Sequence, residues 1–368
     1  MLGAIAFYVY SIYGVKSFFE EEIDINESFS PGISILKPLC GLEDNLRENL
    51  TSFIQQNYPQ YQIIFCVRDV NDPVIILVQE LMASFPEKDL QLIVCDRIFG
   101  YNYKASNLVN GLPHCDYDFI LIADSDIEVK ADYLKTIIQP FQEEKIAVVT
   151  CLYESIGNHL VSILESLNMS GNFIPRVITA KKLEGVKFAF GSTIVIRKKV
   201  LEEIGNFDQL INNIADDFLL GNLPTKLGYQ VKLVNYIVTH HVGKETFINY
   251  LTRQIRWLKC IRVQRFWGYI GMIFTQGIAT STIFLCISNF KFFAFLLLII
   301  TYFLRLNLAY QVGIKYLKNS TCYQYLGLTI LVDFINLYIW IKALFGNQIK
   351  WRDNEFIVNK DGELSKRC

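Results

Sequence analysis

The sequence predicts an α/β fold with a mostly parallel sheet, bracketed by membrane-embedded helices. Three observations predict it. Short apolar runs alternate with amphipathic stretches between residues 31 and 244, the pattern of βαβ units. Long apolar segments lie towards both ends of the 368-residue chain. The hydrophobic fraction of 52% and the mean hydropathy of +0.27 are high for a soluble enzyme and point to membrane contact. Charge excludes one class of partner: the formal net charge is -1, and the scattered Lys and Arg leave no basic stripe for nucleic acid. The nine Cys residues form no CxxC pair and no zinc-binding Cys/His spacing, so they read as free thiols in a reducing compartment.

Residues 1–19, with "LGAIAFYVYSIYGVKSFF", read as an N-terminal anchor. They reach the length of a short span and lack the basic start and small-x-small cleavage site of a signal peptide. Residues 31–244 read as one catalytic domain. Its strands are "ISILKPL", "YQIIFCVRD", "LQLIVCD", "DFILIAD" and "IAVVTCL", and its first two helices are "EDNLRENLTSFIQQN" and "PVIILVQELMASF". Residues 245–268 form a basic amphipathic helix with aromatic rings, the composition of an interfacial segment. Residues 269–346 form a membrane region whose first segment, rich in Thr and Gln, reads as the weakest span, re-entrant or interfacial in the alternative. Arg305 and Asp333 fall inside these segments, where a lone charge is costly, so they are expected to pair across two helices. Residues 347–368 are a polar tail.

Asp69 and Asp124 follow strands whose carboxyl ends share one rim in a parallel sheet, the place where ligands gather. An acid there is also an ordinary turn former. In "DSD", Asp124 and Asp126 can jointly address a hard cation, and Mg²⁺ or Mn²⁺ commonly bridges carboxylates to phosphate oxygens. No GxGxxG follows the first strand and no GxxxxGK[ST] occurs, so phosphates must be held by metal and side chains. Asp216 and Asp217 read either as the favourable first turn of a helix or as a general base. Arg253 and Arg256 read as interfacial cations or as diphosphate ligands. His240 and His241 read as a strand-end pair, with metal ligation as the alternative.

The ordered series Asp69, Asp124-Ser125-Asp126, Asp217, Arg253-Gln254-Ile255-Arg256-Trp257 resembles the D, DxD, D, (Q/R)xxRW pattern of membrane-bound inverting glycosyltransferases with the A fold. Among these the chain is most similar to ceramide glucosyltransferases and their bacterial hopanoid-linked relatives. "SILKPLCGLEDNLRENL", "GYNYKASNL" and "IADDFLLGNLPTKLGYQVKL" carry that likeness. The resemblance implies a Rossmann-like sheet and a UDP-sugar donor, with Asp69 on the uridine and Asp124 on the nucleotide. It implies that Asp126 holds a divalent cation, Mg²⁺ or Mn²⁺, and that Asp217 is the catalytic base. Asp216 stands where many relatives have Glu, and Lys104 and Asn107 match residues near the nucleotide. Arg253, Arg256 and Trp257 match the motif that closes over diphosphate and acceptor.

Two departures stand out. Animal ceramide enzymes carry DSG where this chain has "DSD", and a His-Pro-Arg where it has Ile174-Pro175-Arg176. The implied reaction is transfer of glucose to a ceramide-like lipid. The alternatives are N-acetylglucosamine transfer to a hopanoid, a processive polysaccharide synthase, and a non-catalytic membrane scaffold. The implied setting is a multi-pass membrane protein with a cytoplasmic catalytic domain, in a bacterial inner membrane or, in the alternative, the Golgi.

Overall fold

The computed structural model describes residues 1–351 and 354–366. The chain opens with α1 (Leu2–Phe19), then β1 (Ile33–Leu39), α2 (Leu46–Ile54), β2 (Tyr61–Val67), α3 (Val74–Ser84) and β3 (Leu90–Val94). There follow α4 (Tyr103–Gly111), β4 (Phe119–Ile122), β5 (Ile127–Glu128), α5 (Tyr133–Ile137) and β6 (Ile146–Ile156). Helices α6 (Leu160–Asn168) and α7 (Ile174–Glu184) are joined through a π-helical turn, Met169–Phe173. Next come β7 (Ile194–Arg197), α8 (Lys198–Glu203), α9 (Asp216–Lys226), β8 (Gln230–His241) and α10 (Phe247–Gln264). The apolar C-terminal part holds α11 (Phe266–Gly271), α12 (Gly277–Ile287), α13 (Phe292–Ala309), α14 (Ser320–Tyr325) and α15 (Thr329–Ala343). It ends in β9 (Gln348–Trp351), β10 (Asn354–Val358) and β11 (Leu364–Lys366).

Two compact units result. One gathers Met1–Glu21, Glu154–Gly185 and Val242–Cys368; the other gathers Glu22–Tyr153 and Val186–His241. The segment Glu154–Gly185, read from sequence as part of residues 31–244, clusters with the apolar helices.

The second unit is built on a sheet of order β3-β2-β1-β4-β7-β6-β8-β5. Strands β3, β2, β1 and β4 run parallel, with Leu36 of β1 level with both Ile64 and Ile122. Side chains alternate between two cores. Ile33, Ile35, Ile63, Phe65 and Leu121 face one, while Leu36, Ile64, Cys66, Ile120 and Ile122 face the other. Burial on both faces is why these strands read as unbroken apolar runs. Strand β7, four residues long and absent from the sequence expectation, inserts antiparallel between β4 and β6.

Among its described residues the first unit has three helical segments long and apolar enough to cross a membrane: Leu2–Phe19, Phe292–Tyr316 and Ser320–Ala343. The weak segment after Tyr269 is broken: Phe266–Thr275 and Gly277–Ile287 meet at 67°. Strands β9 to β11 form a small antiparallel sheet, and α10 binds its first strand. There Lys259 Nζ donates to the Gln348 carbonyl (2.7 Å), and Arg262 donates to Leu344, Gly346 and Asn347 oxygens. Arg305 and Asp333, both fully buried, pair as expected, with Nη2 to Oδ1 at 2.8 Å and Nε to Oδ2 at 3.0 Å.

Removing one partner of such a pair strands the other charge, at a cost of about 3–5 kcal/mol. Asp333→Ala should therefore lower the melting temperature in detergent sharply, whereas the Arg305→Met/Asp333→Leu double variant should melt close to the parent. Equal losses in the single and double variants would contradict a purely mutual pairing.

Candidate active site

The parallel strands deliver their ends to one edge of the second unit. β4 stops at Ile122, and Asp124 follows with its N–H donating to the Gly191 carbonyl (3.0 Å). A Cβ on Gly191 would lie 2.6 Å from Asp124 Oδ2 and 3.2 Å from Lys104 Nζ, so the loop before β7 approaches this closely only as glycine. Lys104, from the first turn of α4, sits between two acids. Its Nζ is 2.6 Å from Asp124 Oδ1 and 3.2 Å from Asp216 Oδ2. Asp216 and Asp217 begin α9, and Asp217 Oδ1 accepts from the Phe218 N–H at 2.7 Å. Helix α9 is pinned beside the Phe188–Ala189 backbone by Gly221, whose Cβ would clash there at 2.3 Å.

The electrostatics follow from this crowding. Burial works against a charged Lys104, yet Asp124 and Asp216 hold its ammonium above the ordinary lysine range. Burial also raises Asp124, against the pull of Lys104. Asp217 is pushed up to about 7, first by burial and then by Asp216, with Lys104 opposing. Asp126 behaves differently: burial opposes ionisation, but His240, 3.2 Å away, holds its carboxyl below the usual range.

The structure thus brings together Lys104, Asp124, Asp216 and Asp217, with Asp126 two residues along the same loop. Asn107 is buried and donates to the Cys66 carbonyl (3.2 Å), tying α4 to β2. Asp69 is exposed two residues past the end of β2, and its Oδ1 accepts from the Asn71 N–H (2.9 Å). Arg253, Arg256 and Trp257 lie on α10 in the other unit. There Arg253 forks onto the fully buried Glu165, with Nη1 to Oε1 at 2.8 Å, and also pairs with Glu245. The Arg253 guanidinium lies 5.0 Å from the Trp257 ring centroid, and that of Arg256 lies 5.6 Å from the Trp351 ring centroid.

Four further residues of this edge escape a reading of motifs. Ser125 donates its hydroxyl to Glu43 (2.6 Å). Asn49 donates to the Ser125 carbonyl (3.1 Å). Lys37, in the middle of β1, donates to the Asp124 carbonyl (2.7 Å), and burial pushes it down to about 7 against the pull of Asp124. Gly191 is the fourth. Only Lys37 leaves a trace in the sequence, as a charge inside an otherwise apolar strand.

Among the described residues no three His, Cys, Asp or Glu side chains gather as a metal cage. Asp126 and His240 nevertheless set an oxygen and an imidazole nitrogen side by side at the sheet edge. A cation that completes its shell with phosphate oxygens and water needs only one or two protein ligands, so this pair fits one.

The whole of residues 1–364 matches the family model described as Glycosyl transferase family 21. Ceramide glucosyltransferase 3 of Caenorhabditis elegans is 24% identical over 347 residues, covering 92% of this chain and 75% of that protein. Ceramide glucosyltransferase 1 of the same organism is 23% identical over 372 residues, 99% of this chain and 78% of that one. Among solved structures, a mannosyltransferase from Pyrobaculum calidifontis, in complex with GDP-Man and Mn²⁺, superposes with a TM-score of 0.57. It is 16% identical and covers 94% of this chain and 99% of its own, so the two share a fold.

The Asp217 carboxyl binds its proton more tightly folded than at its ordinary value of 3.8. Its ionised form therefore opposes the fold, with no penalty below about pH 4 and the full penalty above about pH 7. Asp217→Asn should raise the melting temperature at pH 8 and raise it less at pH 5.5. An equal or lower melting temperature at pH 8 would contradict the assignment.

Proposed function

The chain belongs to glycosyl transferase family 21, and from that premise we propose that it transfers glucose from UDP-glucose to the hydroxyl of a ceramide-like membrane lipid, with inversion. The observation that carries the reading is Asp217, a carboxylate whose proton affinity is raised to about 7 beside an acid-lysine cluster. A base matched to neutral pH is what abstraction of a hydroxyl proton requires. The names of the C. elegans relatives support glucose and a ceramide acceptor.

In this mechanism Asp217 takes the proton of the lipid hydroxyl as its oxygen attacks the anomeric carbon from the face opposite the diphosphate. Asp124, with its carboxylate oriented by Lys104, binds the nucleotide, and Asp69 contacts the uracil end. Asn107 keeps α4, and so Lys104, in register with β2. Asp216 shares Lys104 with Asp124 and keeps Asp217 basic by its charge. Asp126 and His240 would hold Mg²⁺ or Mn²⁺, which when bound supplies charge neutralisation to the departing diphosphate. The Mn²⁺ of the Pyrobaculum mannosyltransferase supports a divalent cation of that kind. The roles of Arg253, Arg256 and Trp257 towards the diphosphate and acceptor rest on the (Q/R)xxRW resemblance.

One observation favours a second acceptor: the buried Ile174 replaces the His of the animal motif. N-acetylglucosamine transfer to a hopanoid is therefore the second reading. The protein in lipid nanodiscs, given UDP-glucose, UDP-N-acetylglucosamine or GDP-mannose with ceramide, hopanoid or diacylglycerol, decides by product mass. A single hexose on ceramide is expected, and a growing polymer or exclusive use of GDP-mannose overturns the reading. Asp217→Asn should lose transfer at least 1,000-fold while UDP-glucose binding stays within about threefold. The parent's rate should rise with pH through about 7 and then level off; a rate flat across that range removes Asp217 as the base.

The chain is a membrane protein, and the contacts of α10 support a reading of its topology. Lys259 and Arg262 of α10 bind residues 344–348, which favours placing α10 and the tail on one membrane face. Three apolar segments separate them, and three full crossings would place them on opposite faces. We therefore propose an even number of crossings. Cysteines introduced singly at Lys244 and Lys360 in a Cys-free background should react with impermeant maleimide from the same side of sealed vesicles; reaction from opposite sides refutes the proposal.

A further inference from the structure

Position 37 alternates with Ile33, Ile35 and Leu39 on the face of β1 that packs against α2. The pattern calls for an apolar residue there, yet the chain places a fully buried lysine. Its Nζ lies 3.7 Å from the centroid of the Phe53 ring, which supplies a favourable electrostatic face but no hydrogen-bond acceptor of ordinary strength. The hydrogen bond it makes among the described residues is to the main-chain carbonyl of Asp124. One hydrogen bond is a poor return for burying a lysine where an apolar side chain would pack, so stability alone does not explain the residue.

The loop above Lys37 gives a reason. All three carbonyls of Asp124-Ser125-Asp126 are bonded: to Lys37 Nζ (2.7 Å), Asn49 Nδ2 (3.1 Å) and the His241 N–H (2.9 Å). With the carbonyls held, the three side chains diverge. Asp124 goes to Lys104, Ser125 to Glu43 and Asp126 to His240. Adjacent carboxylates that repel one another would otherwise relax apart along the loop, and a donor site needs them fixed to fractions of an ångström.

We propose that Lys37 is a positioning residue for donor binding, its side-chain nitrogen gripping the Asp124 main chain from beneath so that the Asp124 and Asp126 carboxylates keep separate aims on the sugar nucleotide. This rests on the donor site proposed above. Lys37 touches no reacting atom and acts through the DSD loop.

Lys37→Met keeps the volume and removes the charge and the donors. Replacing a buried charge with a fitting apolar side chain is often neutral or stabilising. In the full-length protein in nanodiscs, Lys37→Met should therefore melt at or above the parent while the donor KM rises at least tenfold and the acceptor KM stays within threefold. Lys37→Arg, which keeps charge and donors, should retain more activity than Lys37→Met. An unchanged donor KM in folded Lys37→Met overturns the proposal, as does a parallel fall in melting temperature and both KM selectivities, which marks a structural role. If Lys37→Met does not fold, Asn49→Ala carries the test by releasing the Ser125 carbonyl. A donor KM raised about tenfold upholds the grip on the loop, and an unchanged one overturns it. The parent's turnover of UDP-glucose reports on the donor reading by itself. The Lys37 ratios are taken with whichever of UDP-glucose, UDP-N-acetylglucosamine or GDP-mannose the parent turns over, so the two ideas fail separately.

Discussion

Asp124, Asp126, Asp216 and Asp217 crowd one edge of the sheet, where burial and the neighbouring carboxylates make Asp124 and Asp217 harder to ionise. Two charges 4 Å apart at an effective dielectric near 20 interact by about 4 kcal/mol, so the cluster stands only with compensation. Lys104 lies between Asp124 and Asp216, His240 sits against Asp126, and Lys37 grips the main chain below. The glycines serve the same end. Gly191 lets a loop come against the Asp124-Lys104 pair, and Gly221 lets α9 pack against the Phe188–Ala189 backbone.

The apolar unit meets the same constraint with a different solution. Arg305 and Asp333 cancel one another in a fork. Glu165, fully buried on α6, is answered by Arg253 from α10, which also binds Glu245. Polar side chains of α6, the π turn and α7 reach several neighbours in turn: Ser166 to Asn319, Asn168 to Asn336, Asn172 to Asp333, Arg176 to Thr275 and Thr179 to Ser11. In an apolar surrounding such bonds fix register where dispersion alone would let helices slide. The π turn at Met169–Phe173 falls in the middle of this run, where it shifts the face that α7 presents relative to α6.

What the sequence made legible was whatever repeats or contrasts sharply. β1, β2 and β4 were readable because burial on both faces produces continuous apolar runs, and the Arg305-Asp333 pair was readable because isolated charges in apolar helices demand partners. The apolar run before it marks Asp124 as a strand-end acid, and Asp216 and Asp217 read as the first turn of a helix, where the structure has them. β7 escapes the sequence reading because three apolar residues and an arginine after Gly191-Ser192-Thr193 carry too little pattern. The partner of Arg253, Glu165, lies 88 residues away, and no local rule links them. Lys37 was passed over for a physical reason: lysine in a strand ordinarily belongs to an edge facing water, and only tertiary packing turns it inward.

The position of Asp217 shows which force decides the chemistry of the edge. A carboxylate in the first turn of a helix is favoured by the dipole, by about 0.3–1 kcal/mol. That effect alone would leave Asp217 a stronger acid and a useless base. The rise from 3.8 to about 7 corresponds to roughly 4 kcal/mol in the opposite sense. Burial and Asp216 therefore outweigh the dipole several-fold, with Lys104 moderating the result. Were Lys104 aimed at Asp217 instead of at Asp124 and Asp216, its charge would pull the carboxyl back towards the ordinary range. By giving its lysine to the neighbouring acids, the fold keeps one carboxylate at this edge able to accept a proton near neutral pH.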